Sequence, residues 1–155
     1  MKSKRGISPL LATAGLIVVA IGLGVIVMNF GRAQIEIAAQ CAVDIGLEFT
    51  QLNDQPQVCL DRDQNQLFFI VENGPQIPVE KMHLRAIGEK EVLSQDIEYS
   101  KIEKLGTILK YIPYNLAQLG EVRQLRLIPT VMLYGEEITC PEQAVVSEVV
   151  RDCEK

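Results

Sequence analysis

The pattern of apolar and polar positions changes character at about residue 40. Ile7 to Phe30 is 24 residues long and contains no charged side chain. At ~1.5 Å per residue such a helix reaches ~36 Å, enough to cross a ~30 Å hydrocarbon core with some tilt. Ser8 supplies a capping hydroxyl, and Pro9 fits the first helical turn, where no N–H bond is lost. Leu10, Leu11, Leu16, Ile17, Val18, Val19, Ile21, Leu23, Val25, Ile26 and Val27 fall on every side of the helix. A helix that is apolar all round lies in lipid or inside a large assembly. Residues 7–30 are therefore expected to form a transmembrane helix and residues 31–41 a stalk or linker, since Gly31 weakens a helix without ending it.

From Ala42 the period becomes two. Val43, Ile45, Leu47 and Phe49 alternate with Asp44, Gly46, Glu48 and Thr50, the signature of a half-buried strand. Asn53-Asp54-Gln55-Pro56 and Asn73-Gly74-Pro75 mark turns. Gln57–Leu60, Leu67–Glu72 and Val79–Ile87 read as strands, with Gly88-Glu89-Lys90 a hairpin tip before Val92. Ile102–Tyr111 mixes lysines with aliphatics. Glu121–Leu133 reads as a long strand bent at Pro129, and Val145–Val150 as a last strand, because valine favours extended backbone. About seven short strands between turns predict a mainly-β domain over 42–155, an immunoglobulin-like β-sandwich. With no tryptophan in the chain, that label describes architecture only.

Charge sets the orientation. The formal charge is −5, but Lys2, Lys4 and Arg5 all lie in the first six residues; without them, 12 basic side chains face 20 acidic ones, a formal −8. The basic cluster before the helix places the N-terminus in the cytoplasm and the domain outside the cell membrane. An acidic domain repels phosphate backbones, which argues against nucleic acid as a partner. Cys41, Cys59, Cys140 and Cys153 all follow the helix, and an even count on an exported domain predicts two disulfides. Three pairings are open.

The stretch Lys4-Arg5-Gly6-Ile7-Ser8-Pro9-Leu10-Leu11-Ala12-Thr13 resembles the start of archaeal type IV pilin-like proteins, including the archaellum subunits. The resemblance covers about the first 30 residues. It implies a class III signal peptide: a basic leader, residues 1–6, removed by a prepilin-type peptidase between Gly6 and Ile7. The apolar helix then stays at the mature N-terminus, with Ser8-Pro9 in the family's positions at the helix start. Many bacterial pilins have glutamate at the fifth mature position, where this chain has Leu11, so the charge-pairing route to filament assembly is absent. Ala20 and Gly24 form a small-x-x-x-small pair that lets helices approach closely. The implied partners are membrane lipid, the peptidase, and copies of this chain or other pilin-like subunits. An uncleaved anchor, or an ordinary secretory signal cut after Gly31-Arg32-Ala33, are the alternatives for the same segment.

Chemistry changes this picture little. Asp61, Asp63, Asn65 and Glu72 match part of a calcium loop, but Gln66 stands where that loop needs glycine, and a polar hairpin turn accounts for the same residues. His83, the lone histidine, reads as a solvent-facing or hydrogen-bonded strand residue rather than a general base. Ser94, Ser100 and Ser147 show no recognisable partner. No motif implies a cofactor, a metal or an enzyme. Phe68-Phe69 is expected to place one ring in the core and one outside. Tyr111 and Tyr114 read as loop packing or a contact surface. The expected function is a non-enzymatic structural subunit of the cell surface. The alternative is an anchored extracellular binding or adhesion module that does not polymerise.

Overall fold

A computed structural model describes residues 9–41 and 43–153, with side chains described over 12–30, at Cys41 and over 43–153. Lys2, Lys4, Arg5, Gly6, Ile7 and Ser8 lie outside the described residues. The chain divides into two units, a helix and a β domain, the latter beginning near residue 40.

Helix α1 spans Pro9–Gln40, so it passes Gly31 unbroken and continues through the segment expected to be a stalk or linker. Its 32 residues correspond to about 48 Å. The span Ala12–Phe30 has a mean hydropathy of 2.3, and its side chains are not buried against any other part of the protein.

The β domain begins with a divided strand. β1 (Glu48–Phe49) and β4 (Val58–Asp61) pair with the same edge of β5 (Gln66–Glu72). Between them projects a small hairpin, β2 (Gln51–Leu52) and β3 (Gln55–Pro56). The strand expected from Ala42 is thus ladder-paired only at Glu48–Phe49; Ile45, Leu47 and Phe49 are buried as alternation requires, but Val43 is exposed. The opposite edge of β5 carries β8 (Thr107–Pro113), in the segment whose mixed lysines and aliphatics named no element. The last strand, β12 (Arg151–Asp152), lies parallel to β4. Across this sheet the order is β8, β5, β1 with β4, and β12.

The second sheet centres on the antiparallel pair β6 (Val79–Gly88) and β9 (Val122–Leu133). β7 (Val92–Ile97) forms its outer edge beside β6. β10 (Glu136–Thr139) and β11 (Val145–Ser147) share the other edge of β9. The expected final strand over Val145–Val150 is ladder-paired only at Val145–Ser147, as β11, and β12 follows it in the other sheet. Pro129 sits inside β9 where a proline is tolerated. Its carbonyl accepts from the Cys140 N–H, and its missing donor faces the gap between β10 and β11. Tyr134 and Gly135 turn β9 into β10, both with positive φ (53° and 86°), the two-residue turn that matches strand twist.

The inner faces of both sheets bury into one core. Leu67, Phe69 and Val71 from β5 join Met82, Leu84 and Ala86 from β6 and Leu125, Leu127 and Val131 from β9. Val79 and Met82, three apart, are both buried because the β6–β9 register shifts between Val79 and Lys81, inserting Glu80 as a bulge. A short helix, α2 (Leu116–Leu119), capped by Asn115, links β8 to β9 and was not foreseen in the sequence. It presses so closely on β6 that a Cβ on Gly88 would lie 2.2 Å from the Leu119 carbonyl oxygen and 2.7 Å from the Tyr114 hydroxyl. Only glycine fits there.

Candidate functional site

The candidate functional surface is that of α1. Leu16, Ile17, Val18, Val19, Ile21, Leu23, Val25, Ile26, Val27, Met28 and Phe30 are all exposed. Soluble monomers rarely expose more than a few hundred Å² of contiguous apolar surface, so this surface requires cover by lipid or by other protein. Ala20 and Gly24, one turn apart, lie on one stripe of the helix, and a Cβ built at Gly24, Gly22 or Gly15 meets no atom within 4 Å. The stripe is open to close approach by another helix. The leader positions and Ser8 fall outside the described residues; Pro9 is where the described helix starts.

The four cysteines form two bridges, Cys41–Cys140 and Cys59–Cys153, resolving the three open pairings. Their placement follows the chain path. Cys41 is the residue after α1, and its bridge ties the start of the domain to the end of β10. Cys153 follows β12, and its bridge ties the last strand to β4. Both ends of the β domain are therefore covalently closed. Arg62, in the β4–β5 turn, reinforces the second closure. Its Nε donates to Asp152 Oδ1 (2.6 Å), and Nη1 and Nη2 grip both oxygens of Glu121 (2.7 and 2.9 Å). Its hydrogen bonds to Glu121 and then Asp152 hold the guanidinium charged well above its ordinary range.

The acidic run after β4 is a hairpin turn. Asp61 Oδ1 accepts the N–H groups of Asp63 and Gln64, both at 3.0 Å, and Asn65 takes a positive φ of 52°. Glu72 stands at the far end of β5, opposite Thr107, far from those carboxylates. Among the described residues, no group of three or more His, Cys, Asp or Glu side chains is arranged to hold a metal ion.

Ser94 has the partner that its sequence surroundings did not reveal. His83 on β6 lies opposite Asp96 on β7, and Ser94 lies two residues back on the same face. The imidazole Nδ1 is 2.7 Å from Asp96 Oδ1, and Nε2 is 2.8 Å from Ser94 Oγ. This bonding order, hydroxyl to imidazole to carboxylate, resembles that of a nucleophile relay. Its surroundings are different. Asp96 is 91% exposed, so water competes for its charge, and the cluster lies on an open sheet face rather than in a cleft. Cross-strand fastening of β6 to β7 accounts for it.

Phe69 is in the core while Phe68 faces outward against Tyr111, ring centroids 5.1 Å apart. Tyr114 is 1% exposed and donates its hydroxyl to the Gly120 carbonyl at 2.9 Å, so it packs rather than offering a surface. Burial, with the charges of Glu121 and Glu89 adding to it, raises its phenol pKa above the ordinary 10. Comparison with family models, curated proteins and solved structures finds no match to this chain.

Proposed function

We propose that this chain is a non-enzymatic structural protein of the cell surface, a type IV pilin-like subunit. Its α1 helix sits in the cell membrane and packs with α1 of neighbouring copies or of other pilin-like subunits. The observation that carries the reading is the unbroken α1, which exposes apolar side chains around its circumference and runs directly to Cys41 at the start of a disulfide-closed domain. Lipid association alone needs only the apolar surface. Assembly must exchange lipid contacts for helix contacts, and the open stripe of Ala20 and Gly24 makes that exchange feasible.

The β domain faces the environment, the N-terminus the cytoplasm, and the two bridges fit an oxidising exterior. The strand order supports an immunoglobulin-like sandwich: β1/β4, β5 and β8 form one sheet, and β7, β6, β9 and β10 the other. The connections β5–β6, β7–β8 and β8–β9 pass between sheets as that architecture requires. Processing by a prepilin-type peptidase between Gly6 and Ile7 removes Lys2, Lys4 and Arg5 and frees the helix for assembly. Intact mass of the membrane-extracted protein tests this step. The expected chain lacks Met1–Gly6, and Gly6→Trp leaves it uncut; an untrimmed wild-type chain overturns the pilin-like reading in favour of a simple anchor.

A further inference from the structure

The outer face of the β8–β5–β4–β12 sheet carries a second feature. Strand register aligns Tyr111, Phe68, Cys59 and Arg151 in one row across four strands. Beside this row stands the β2–β3 hairpin, turned at Asn53-Asp54, both with positive φ (54° and 59°). Arg151 donates to Gln55 Oε1 and so ties the hairpin to β12. Between hairpin and row lies a groove of about 530 Å³, within the ~300–1,000 Å³ range of small-molecule sites.

Its lining has a particular chemistry. Tyr111, 59% exposed, offers its ring to the groove beside Phe68. Asn53, Gln57, Asp61 and Asp152 supply amides and carboxylates, and Leu52 and Pro56 add apolar lining from the hairpin. Asp61 uses Oδ1 to hold its own turn, and Asp152 uses Oδ1 to bind Arg62, so each keeps Oδ2 as an acceptor. An anion finds Arg151, one of whose N–H groups is held by Gln55, but meets the carboxylates of Asp61 and Asp152 in the same groove. A cation finds carboxylates already facing guanidinium or backbone N–H groups. An extended peptide finds no open backbone edge on the floor of the groove, since β5 and β4 are paired on both sides. What remains is a flat ring bordered by uncharged donors and charged but screened acceptors. That suits a ligand with one apolar CH face and a rim of hydroxyls.

We propose that this groove binds a neutral pyranoside, its CH face stacked on Tyr111 and its hydroxyls held by Asn53, Gln57, Asp61 and Asp152. The site does not depend on polymerisation and holds equally for a filament subunit or a lone anchored domain. The test is a ¹⁵N NMR titration of the full-length protein in a detergent without a sugar headgroup. The probes are the methyl glycosides of glucose, galactose and mannose, and N-acetylglucosamine, each taken into the tens of millimolar. Saturable shifts confined to β2–β3, β8 and Arg151–Cys153 are expected from at least one probe. Tyr111→Ala should weaken that binding at least about tenfold, while Tyr134→Ala, at the β9–β10 turn, leaves it unchanged; the spectrum itself shows that each variant is folded. No saturable shift with any of the four sugars overturns the proposal. So does binding indifferent to Tyr111→Ala, or a response to a proline-rich peptide where the sugars give none.

Discussion

Removing the disulfides one at a time and together gives a quantitative account of how the β domain is held closed. Cys41–Cys140 encloses a separation of 99 residues and Cys59–Cys153 one of 94. In the chain-entropy treatment, a loop of either size restricts the unfolded state by about 4.7 kcal/mol. The two loops overlap, however. Once one bridge is closed, the effective path between the other two cysteines in the unfolded chain shortens to about 30 residues, and the second bridge adds only about 3.6 kcal/mol. Cys59→Ala/Cys153→Ala alone, or Cys41→Ala/Cys140→Ala alone, should therefore cost about 3.6 kcal/mol. Removing all four cysteines should cost about 8 kcal/mol, more than twice either single loss and comparable to the whole stability of an ordinary domain. Urea unfolding of the full-length protein in detergent, followed through the fluorescence of the four tyrosines, measures this, since Tyr114 is buried in the core and senses its loss. Single losses below about 1 kcal/mol, or a quadruple variant no weaker than either double one, would refute the claim that the bridges act by closing the domain's two ends.

Two further substitutions probe the junction where α2 meets β6. Gly88→Ala places a methyl group against the Leu119 carbonyl and the Tyr114 hydroxyl, and should destabilise the domain by about 2–4 kcal/mol in the same urea assay. Unchanged stability would mean that the close approach is not maintained. Tyr114 gives the domain a pH dependence of known sign. Because its folded pKa lies above the unfolded value of 10, the stability it contributes is complete below pH 10 and declines as pH rises through the raised pKa. Tyr114→Phe should flatten that alkaline decline while losing about 1 kcal/mol at neutral pH with the hydrogen bond to Gly120. Equal alkaline slopes in the two proteins would contradict it.

What the sequence made legible was local. Uniform hydropathy announced α1, and apolar stretches between turn residues announced β5, β6 and β9, because burial leaves a direct imprint on neighbouring residues. Helix α1 nevertheless runs ten residues past the apolar segment, since Ala33–Gln40 satisfies a helix without satisfying a membrane. The β2–β3 hairpin, the parallel docking of β12 and the disulfide pairing are contacts between distant segments, and no short window records them. The same holds for Ser94, whose partner His83 lies across a strand pair, and for Tyr111 and Phe68, joined by register alone. Pro129, read in the sequence as a bend, sits in the ladder opposite Met82, and its tolerance there depends on where β10 ends and β11 begins.

The proposed function has α1 join subunits as well as hold them in the membrane. Electron microscopy of material sheared from cells, comparing wild type with Ala20→Leu/Gly24→Leu, separates the two roles. A Cβ at Gly24 meets no atom within 4 Å, and Ala20 is exposed. Filaments are expected from the wild type and none from the variant, with the variant protein still present in the membrane fraction. Filaments of equal abundance from both, or none from either, would contradict the packing role of α1.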